Sequence, residues 1–112
     1  MLFRSAPGVL VPDCPVTAAG QTTRLRRLAR DGVTVLLGDD AATPSLPTDV
    51  PVSMHRISDL DDGPTLREAL GARPDEIWVL RPDGHVAAVL TRSAEVAPAV
   101  ARLLGRNVPV PA

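Results

Sequence analysis

The strongest candidates for acid–base chemistry lie in residues 76–90, EIWVLRPDGHVAAVL. His85 follows Asp83 by two residues, so the carboxylate could orient an imidazole that titrates near neutrality. Pro82, Asp83 and Gly84 are also typical residues of a tight turn between strands. Since the turn explains these residues and no convergent group accompanies them, we interpret His85 as a solvent-facing strand residue and predict no catalytic residue.

Cys14 is the only cysteine, which excludes an internal disulfide and a C-x-x-C pair. No basic residue beside it in sequence would lower the pKa of the thiol, so we favour a structural, partly buried cysteine. A small thiol-dependent redox or partner-binding protein that uses Cys14 is the alternative. The spacing of Cys14, His55, His85 and the aspartates matches no metal-ligand pattern, so no metal site is predicted.

Arg24, Arg26, Arg27 and Arg30 form a basic cluster that could grip phosphates. These positions are also the outward face of an amphipathic helix, so we interpret the cluster as a solvated face, with docking of an acidic partner as the alternative. Trp78, on an apolar strand, is interpreted as core, and an interface anchor is its alternative.

Composition limits the classes of function. The 112 residues fit one domain, and 45% of them are hydrophobic, but Phe3 and Trp78 are the only aromatic residues. Twelve basic residues, all arginine, against thirteen acidic ones give a net charge of −1, which argues against nucleic acid and anionic membranes as partners. No apolar run approaches the ~18 residues of a membrane span, and no signal peptide is evident. We therefore expect a cytoplasmic protein.

Hydrophobic periodicity and turn residues predict a single domain over residues 1–106 and a flexible Pro-rich tail over residues 107–112. The predicted elements are an edge strand (9–11), an irregular turn (12–15), a helix capped by Thr22 or Thr23 and ended by Gly32, a buried strand (33–37), a long loop with one short helical turn (39–49), a strand (50–57), a helix (61–71), a hairpin (77–80 and 86–90), and a helix from Ser93 that Pro98 kinks or delays.

This order predicts an α/β fold with a mixed central sheet, helices on both faces and a C-terminal β-hairpin plus helix, which is the layout of the thioredoxin fold. Residues 70–87, LGARPDEIWVLRPDGHVA, resemble the thioredoxin segment from its third helix through its terminal hairpin. They are more similar still to the "LVRPDGHVAWR" ending of FAD-dependent aromatic hydroxylases, the phenol and polyketide monooxygenases. PGVLVPD at 7–13, and TRL at 23–25 followed by VTVLL at 33–37, resemble the same family.

Two departures bear on chemistry. Where thioredoxins place C-x-x-C, this chain has Gly38-Asp39-Asp40-Ala41-Ala42, which contains no thiol. Where thioredoxins hold a cis-proline that binds extended substrates, it has Glu76, and Pro74 lies two residues too early. No G-x-G-x-x-G motif offers a flavin site.

The resemblance therefore implies a thioredoxin-like domain that is redox-inactive, structural or assembly-related, and without cofactor, metal or catalytic residues of its own. FAD is expected only if the chain is attached to or associated with a hydroxylase. The expected partners are flavin hydroxylase domains or a second copy. The Met1 start and the Pro-rich end favour a complete chain over a domain cut from a larger monooxygenase.

Overall fold

The computed structural model describes residues 8–11, 13–18, 20–30, 32–46, 52–60 and 65–103. One 3-10 turn, Ser93–Glu95, precedes the last helix. The other regular elements occur in the order β1 (Pro15–Ala18), β2 (Gln21–Arg24), α1 (Leu25–Ala29), β3 (Val33–Leu37), β4 (Val52–Arg56), α2 (Ile57–Leu60), α3 (Thr65–Leu70), β5 (Ile77–Leu80), β6 (Val86–Leu90) and α4 (Val96–Leu103).

The central sheet has the strand order β4-β3-β5-β6. β3 is parallel to β4 and antiparallel to β5, and β5 forms an antiparallel hairpin with β6. Every residue of β3 and of β5 is buried. These two strands can be apolar throughout because both faces of the sheet are covered, unlike a half-solvated strand that alternates.

The two faces of the sheet support separate hydrophobic clusters. Leu36 and Trp78 point toward the face that also buries residues of α1, α2 and α3. Val35 and Val79 point to the opposite face, where they pack with Val96 and other residues of α4. This arrangement confirms the predicted α/β, thioredoxin-like class, with a mixed sheet, helices on both faces and a terminal hairpin plus helix.

Residues 8–11 form a strap along the start of β6. Leu10 makes a single antiparallel bridge with His85, and Val11 donates its N–H to the carbonyl of Gly84 at 2.9 Å. Val11 is fully buried, whereas Leu10 is 39% exposed. The predicted edge strand at 9–11 is therefore confirmed in its place at the sheet edge, although only one bridge forms.

Residues 13 and 14 are irregular, as predicted, but the prediction was wrong at Pro15 and at the start of the helix. Pro15 begins β1 instead of an irregular turn, and Thr22 and Thr23 belong to β2 and do not cap the helix. β-Branched threonines favour a strand, and Gly20 takes the positive φ of +77° that a tight hairpin turn needs. The helix begins at Leu25, shorter than the predicted two turns.

Other boundaries differ as well. The strand predicted over 50–57 ends at Arg56, because Ile57 already begins the short helix α2, which sequence periodicity did not reveal. Residues 39–46 of the predicted loop contain no helical turn. The last helix starts at Val96 after the 3-10 turn, so Pro98 lies in its first turn, where its missing N–H costs little. The residue at the N-cap of the 3-10 turn is Arg92 and not Ser93, and Arg92 makes no side-chain cap hydrogen bond.

Several predictions fall outside the described residues. These are the start of the predicted helix at 61–64, the second half of the loop at 47–49, and the tail at 107–112. In the described residues, no helix is long and apolar enough to span a membrane.

The structure places Trp78 fully inside the core, so the interface-anchor alternative does not apply to it. Its indole Nε1 has no hydrogen-bond partner among the described residues. We expect Trp78→Ala to lower the free energy of unfolding by about 3–5 kcal/mol through the void it leaves, whereas Trp78→Phe should cost only about 1–2 kcal/mol because no indole hydrogen bond is lost. Urea unfolding followed by far-ultraviolet circular dichroism measures both, and equal losses would contradict the packing argument.

Candidate functional site

The carboxyl end of β3 is the position where thioredoxins carry their dithiol. Here it is closed by the segment that precedes β5. Gly38 donates its N–H to the carbonyl of Glu76 at 2.8 Å, and Asp40 donates to the carbonyl of Pro74 at 2.9 Å. Two backbone hydrogen bonds thus join the segments that correspond to the dithiol and to the cis-proline. An extended peptide would have to break them in order to enter.

Gly38 permits this close approach. A Cβ atom at this position would lie 2.3 Å from the carbonyl oxygen of Pro74 and 2.8 Å from that of Arg73. Both contacts are with backbone and are too short for any side chain, so only glycine fits without a shift. The sequence marked Gly38 as the end of a strand, but no local signal indicated its contact with residues more than thirty positions away.

Glu76, at the position of the cis-proline, is 95% buried and holds its own turn together. Its carboxylate Oε1 accepts the N–H of Arg73 at 2.7 Å, and its N–H donates to the carbonyl of Arg73 at 3.0 Å. A buried carboxylate requires such donors. The side chain is therefore a structural part of the turn before β5.

Arg56, the last residue of β4, clamps the loop that follows β3. Its Nη1 lies 2.7 Å from the carbonyl oxygen of Gly38 and 3.2 Å from the carbonyl oxygens of Asp39 and Ala41. Its Nη2 donates to Thr43 Oγ1 at 3.3 Å. One guanidinium thus satisfies several backbone acceptors at once. Sequence analysis did not identify Arg56, since an arginine at the end of a strand carries no distinctive pattern.

The polar side chains at this end include the carboxylates of Asp39 and Asp40. Asp39 forms an ion pair with Arg67 at 3.3 Å, but both side chains are more than 40% exposed, so the pair contributes little. Residues 38–42 contain no thiol or hydroxyl. The contacts at this end fix the loop, and a thiolate is not available within residues 38–42.

The predicted hairpin turn is confirmed. Gly84 has a φ of +87° and donates its N–H to the carbonyl of Arg81 at 2.9 Å. Asp83 accepts from the backbone N–H of His85 at 3.1 Å, and this bond is the main reason why the pKa of Asp83 is lowered, with Arg81 adding to the effect. His85 Nδ1 lies 3.2 Å from Asp83 Oδ1, without a hydrogen-bonding angle. Asp83 therefore serves the turn.

Cys14 is half-buried and packs against the cluster on the α1 side of the sheet. Its carbonyl accepts the N–H of Leu25 at 3.0 Å, which joins the start of α1 to the residue immediately before β1. His55 lies in β4 and His85 immediately precedes β6, the strands at the two ends of the strand order. Across the described ranges, no three His, Cys, Asp or Glu residues come together as a metal site would require.

The basic cluster lines an open cleft of about 540 Å³ that also includes Asp13, Thr22 and Thr23. Arg24 donates to the carbonyl of Asp13 at 2.9 Å, and Arg26 Nε donates to the carbonyl of Val11 at 2.9 Å. The four arginines are exposed, as predicted, but only Arg26 and Arg27 belong to α1, since Arg24 ends β2 and Arg30 follows the helix. Leu25 and Ala29, on the inner face of α1, are buried.

Residues 4–107 match the family model described as "Aromatic-ring hydroxylase, C-terminal". A search of curated proteins found no significant match.

Three solved structures are similar in fold. Aklavinone-11 hydroxylase in a ternary complex with FAD and aklavinone has a TM-score of 0.68 and 24% identity, over 88% of this chain and 21% of that one. The flavin-dependent monooxygenase PieE, in complex with FAD and substrate, has a TM-score of 0.65 and 21% identity, over 94% of this chain and 21% of that one. CabE, an aromatic hydroxylase from angucycline biosynthesis, has a TM-score of 0.55 and 22% identity, over 95% of this chain and 22% of that one. This chain thus spans about a fifth of each.

Arg56 provides the first test of the closed end. We expect Arg56→Met to lower the free energy of unfolding by about 1.5–3 kcal/mol, because charged hydrogen bonds to several carbonyls are lost, whereas Met at the exposed Arg92 should change it by less than about 0.5 kcal/mol. Arg56→Lys should fall between them, since one ammonium cannot reproduce the guanidinium fork. Urea titration of the three variants measures this. Equal stability of the Arg56→Met and Arg92→Met variants would show that the clamp does not matter.

His55 provides a second test. Partial burial lowers its pKa, and the nearby carboxylate of Asp59 raises it by a smaller amount. A histidine whose folded pKa lies below its unfolded value costs stability as pH falls through the unfolded value, about 6.5, toward the folded one. Asp59→Asn should lower the pKa of His55 further. Titration of the imidazole protons by NMR measures this, with His85 as the internal control, and an unchanged or higher pKa in the variant would contradict the assignment.

Proposed function

The chain belongs to the aromatic-ring hydroxylase C-terminal family, and on this premise we propose that it is a non-catalytic, redox-inactive structural domain that supports the assembly of an FAD-dependent aromatic hydroxylase. The catalytic domains belong either to the same polypeptide or to a separate chain with which it associates. Self-association is the other partnership that a structural domain of this kind allows. The proposed location is the cytoplasm.

The closed carboxyl end of β3 is the observation that carries the proposal. A dithiol oxidoreductase needs a thiolate and a groove for its substrate at this place. The backbone N–H groups of Gly38 and Asp40 are instead hydrogen-bonded to carbonyls of the segment before β5, and the guanidinium of Arg56 donates to the carbonyl of Gly38. The backbone groups at this position are thus engaged in contacts within the domain, which favours a structural role over a redox role.

We infer that FAD is not held by the described residues. The sequence contains no Gly-rich turn of the kind that receives a dinucleotide diphosphate. The Arg-lined cleft has no apolar wall against which an isoalloxazine ring could pack. FAD is therefore proposed to bind only to other domains of the hydroxylase.

A dithiol-reductase assay tests the redox part of the proposal. The purified chain should reduce insulin disulfides no faster than the reductant alone, and Cys14→Ser should leave every measured activity unchanged, because Cys14 is a half-buried packing residue. A thioredoxin with its dithiol serves as the positive control. Reductase activity that disappears in the Cys14→Ser variant would support the thiol-dependent alternative and overturn the proposal.

The assembly part is tested on the native protein. An antibody to this domain should capture, from the source organism, either a polypeptide several times the 11.8 kDa of this chain and carrying FAD, or this chain together with an FAD-containing hydroxylase. Mass spectrometry and the flavin absorption spectrum identify both. Capture of the chain without any flavoprotein, at concentrations that preserve stable complexes, would argue against this role.

A further inference from the structure

The cleft around α1 is more than a solvated face. Two of its four arginines are fixed by the fold: Arg24 by the carbonyl of Asp13, and Arg26 by the carbonyl of Val11, both at 2.9 Å. The stem of Arg26 also lies against the hairpin turn, since a Cβ atom added at Gly84 would be 3.5 Å from its Cγ. Neutral carbonyl partners orient these guanidinium groups but leave their charge uncompensated.

The other two arginines lie one helical turn apart. The Arg30 N–H donates to the Arg27 carbonyl at 3.2 Å, but the guanidinium group of neither residue has a hydrogen-bond or ion-pair partner among the described residues. Asp31 lies outside those residues. Like charges at this spacing repel, and α1 has no acidic residue in its first turn to offset them. An anion held between the guanidinium groups would relieve that repulsion.

The shape and lining of the cleft indicate the class of anion. Its volume of about 540 Å³ is within the range of small-molecule sites, and its concave wall adds the hydroxyl groups of Thr22 and Thr23 to the guanidinium groups. Four arginines against Asp13 leave the charged lining with a formal charge of +3. Several guanidinium forks and hydroxyl donors match the oxygens of a phosphate group, each of which accepts more than one hydrogen bond.

We propose that this cleft, formed by Arg24, Arg26, Arg27, Arg30, Thr22 and Thr23, binds a phosphate group, either as the free ion or as the monoester of a small polar molecule. The inference does not depend on the proposed assembly role, because it concerns residues remote from the closed end of β3. Arg27 and Arg30 supply guanidinium groups that have no partner among the described residues. Arg24 and Arg26 supply guanidinium groups that backbone carbonyls hold in place.

The experiment is a titration of the whole chain with orthophosphate and, separately, with ribose 5-phosphate, at low ionic strength and followed by isothermal calorimetry and amide NMR shifts. Arg27→Ala/Arg30→Ala should weaken binding by about tenfold or more. The matched control, Arg92→Ala/Arg102→Ala, removes two exposed arginines elsewhere and should change affinity by less than about twofold. Tighter binding of the ester identifies an esterified ligand, and equal binding identifies the free ion.

Two further variants make the result specific. Arg27→Lys/Arg30→Lys keeps the charge but loses the forked donors, so it should bind with intermediate affinity. Asp13→Asn removes the one lining carboxylate and should tighten binding by a few-fold. The proposal is overturned if phosphate produces no shifts at the cleft, or if the Arg27→Ala/Arg30→Ala variant, with an unchanged circular dichroism spectrum, binds like the parent chain. Binding of acidic peptides but not of phosphate would likewise overturn it, in favour of a protein-docking surface.

Discussion

The pairing of β3 with β5 is the interaction on which the rest of the fold depends. Both strands are buried at every position, so each contributes alternate side chains to the cluster on either face of the sheet. The helices α1, α2 and α3 cover one face and α4 covers the other, and both clusters require this pair of strands. With only one tryptophan in the core, a thin two-sided arrangement of aliphatic residues is how a chain of this composition buries enough surface.

The two ends of the β3–β5 pair differ in the contacts that they make. At the carboxyl end of β3, the absence of a side chain at Gly38 lets the backbone of the next crossing segment approach, and Arg56 secures the loop from the neighbouring strand. At the opposite end, the hairpin turn and the strap hold Arg26 and the basic cleft. One end of the sheet is therefore sealed by backbone contacts, and the other presents charge to solvent. This contrast underlies the two proposals made above, a structural role for the sealed end and anion binding at the basic cleft.

The sequence predicted what is determined locally. The turn at 81–85 and the strands beside it followed from Pro82, Gly84 and β-branched runs, and the buried strand 33–37 followed from its own composition. The β1–β2 hairpin was missed because the helical spacing of Leu25, Leu28 and Ala29 drew the predicted helix backward over Thr22 and Thr23. The contacts of Gly38 with Pro74, and of Arg56 with the loop, join segments distant in sequence, and no single-sequence pattern encodes such contacts. The missing dithiol was predictable, whereas its replacement by a closed end was not.

The strap at residues 8–11 has a consequence for how the chain folds. Its bonds to residues 84–86 link parts of the chain separated by most of the described sequence. Closing so long a loop costs more entropy than closing the hairpins, and contacts of this kind slow folding. We therefore expect the sheet edge at β6 to be completed after the central strands have met. Until then the outer edge of β6 exposes unpaired backbone groups, and the nascent domain is most prone to aggregation during that interval.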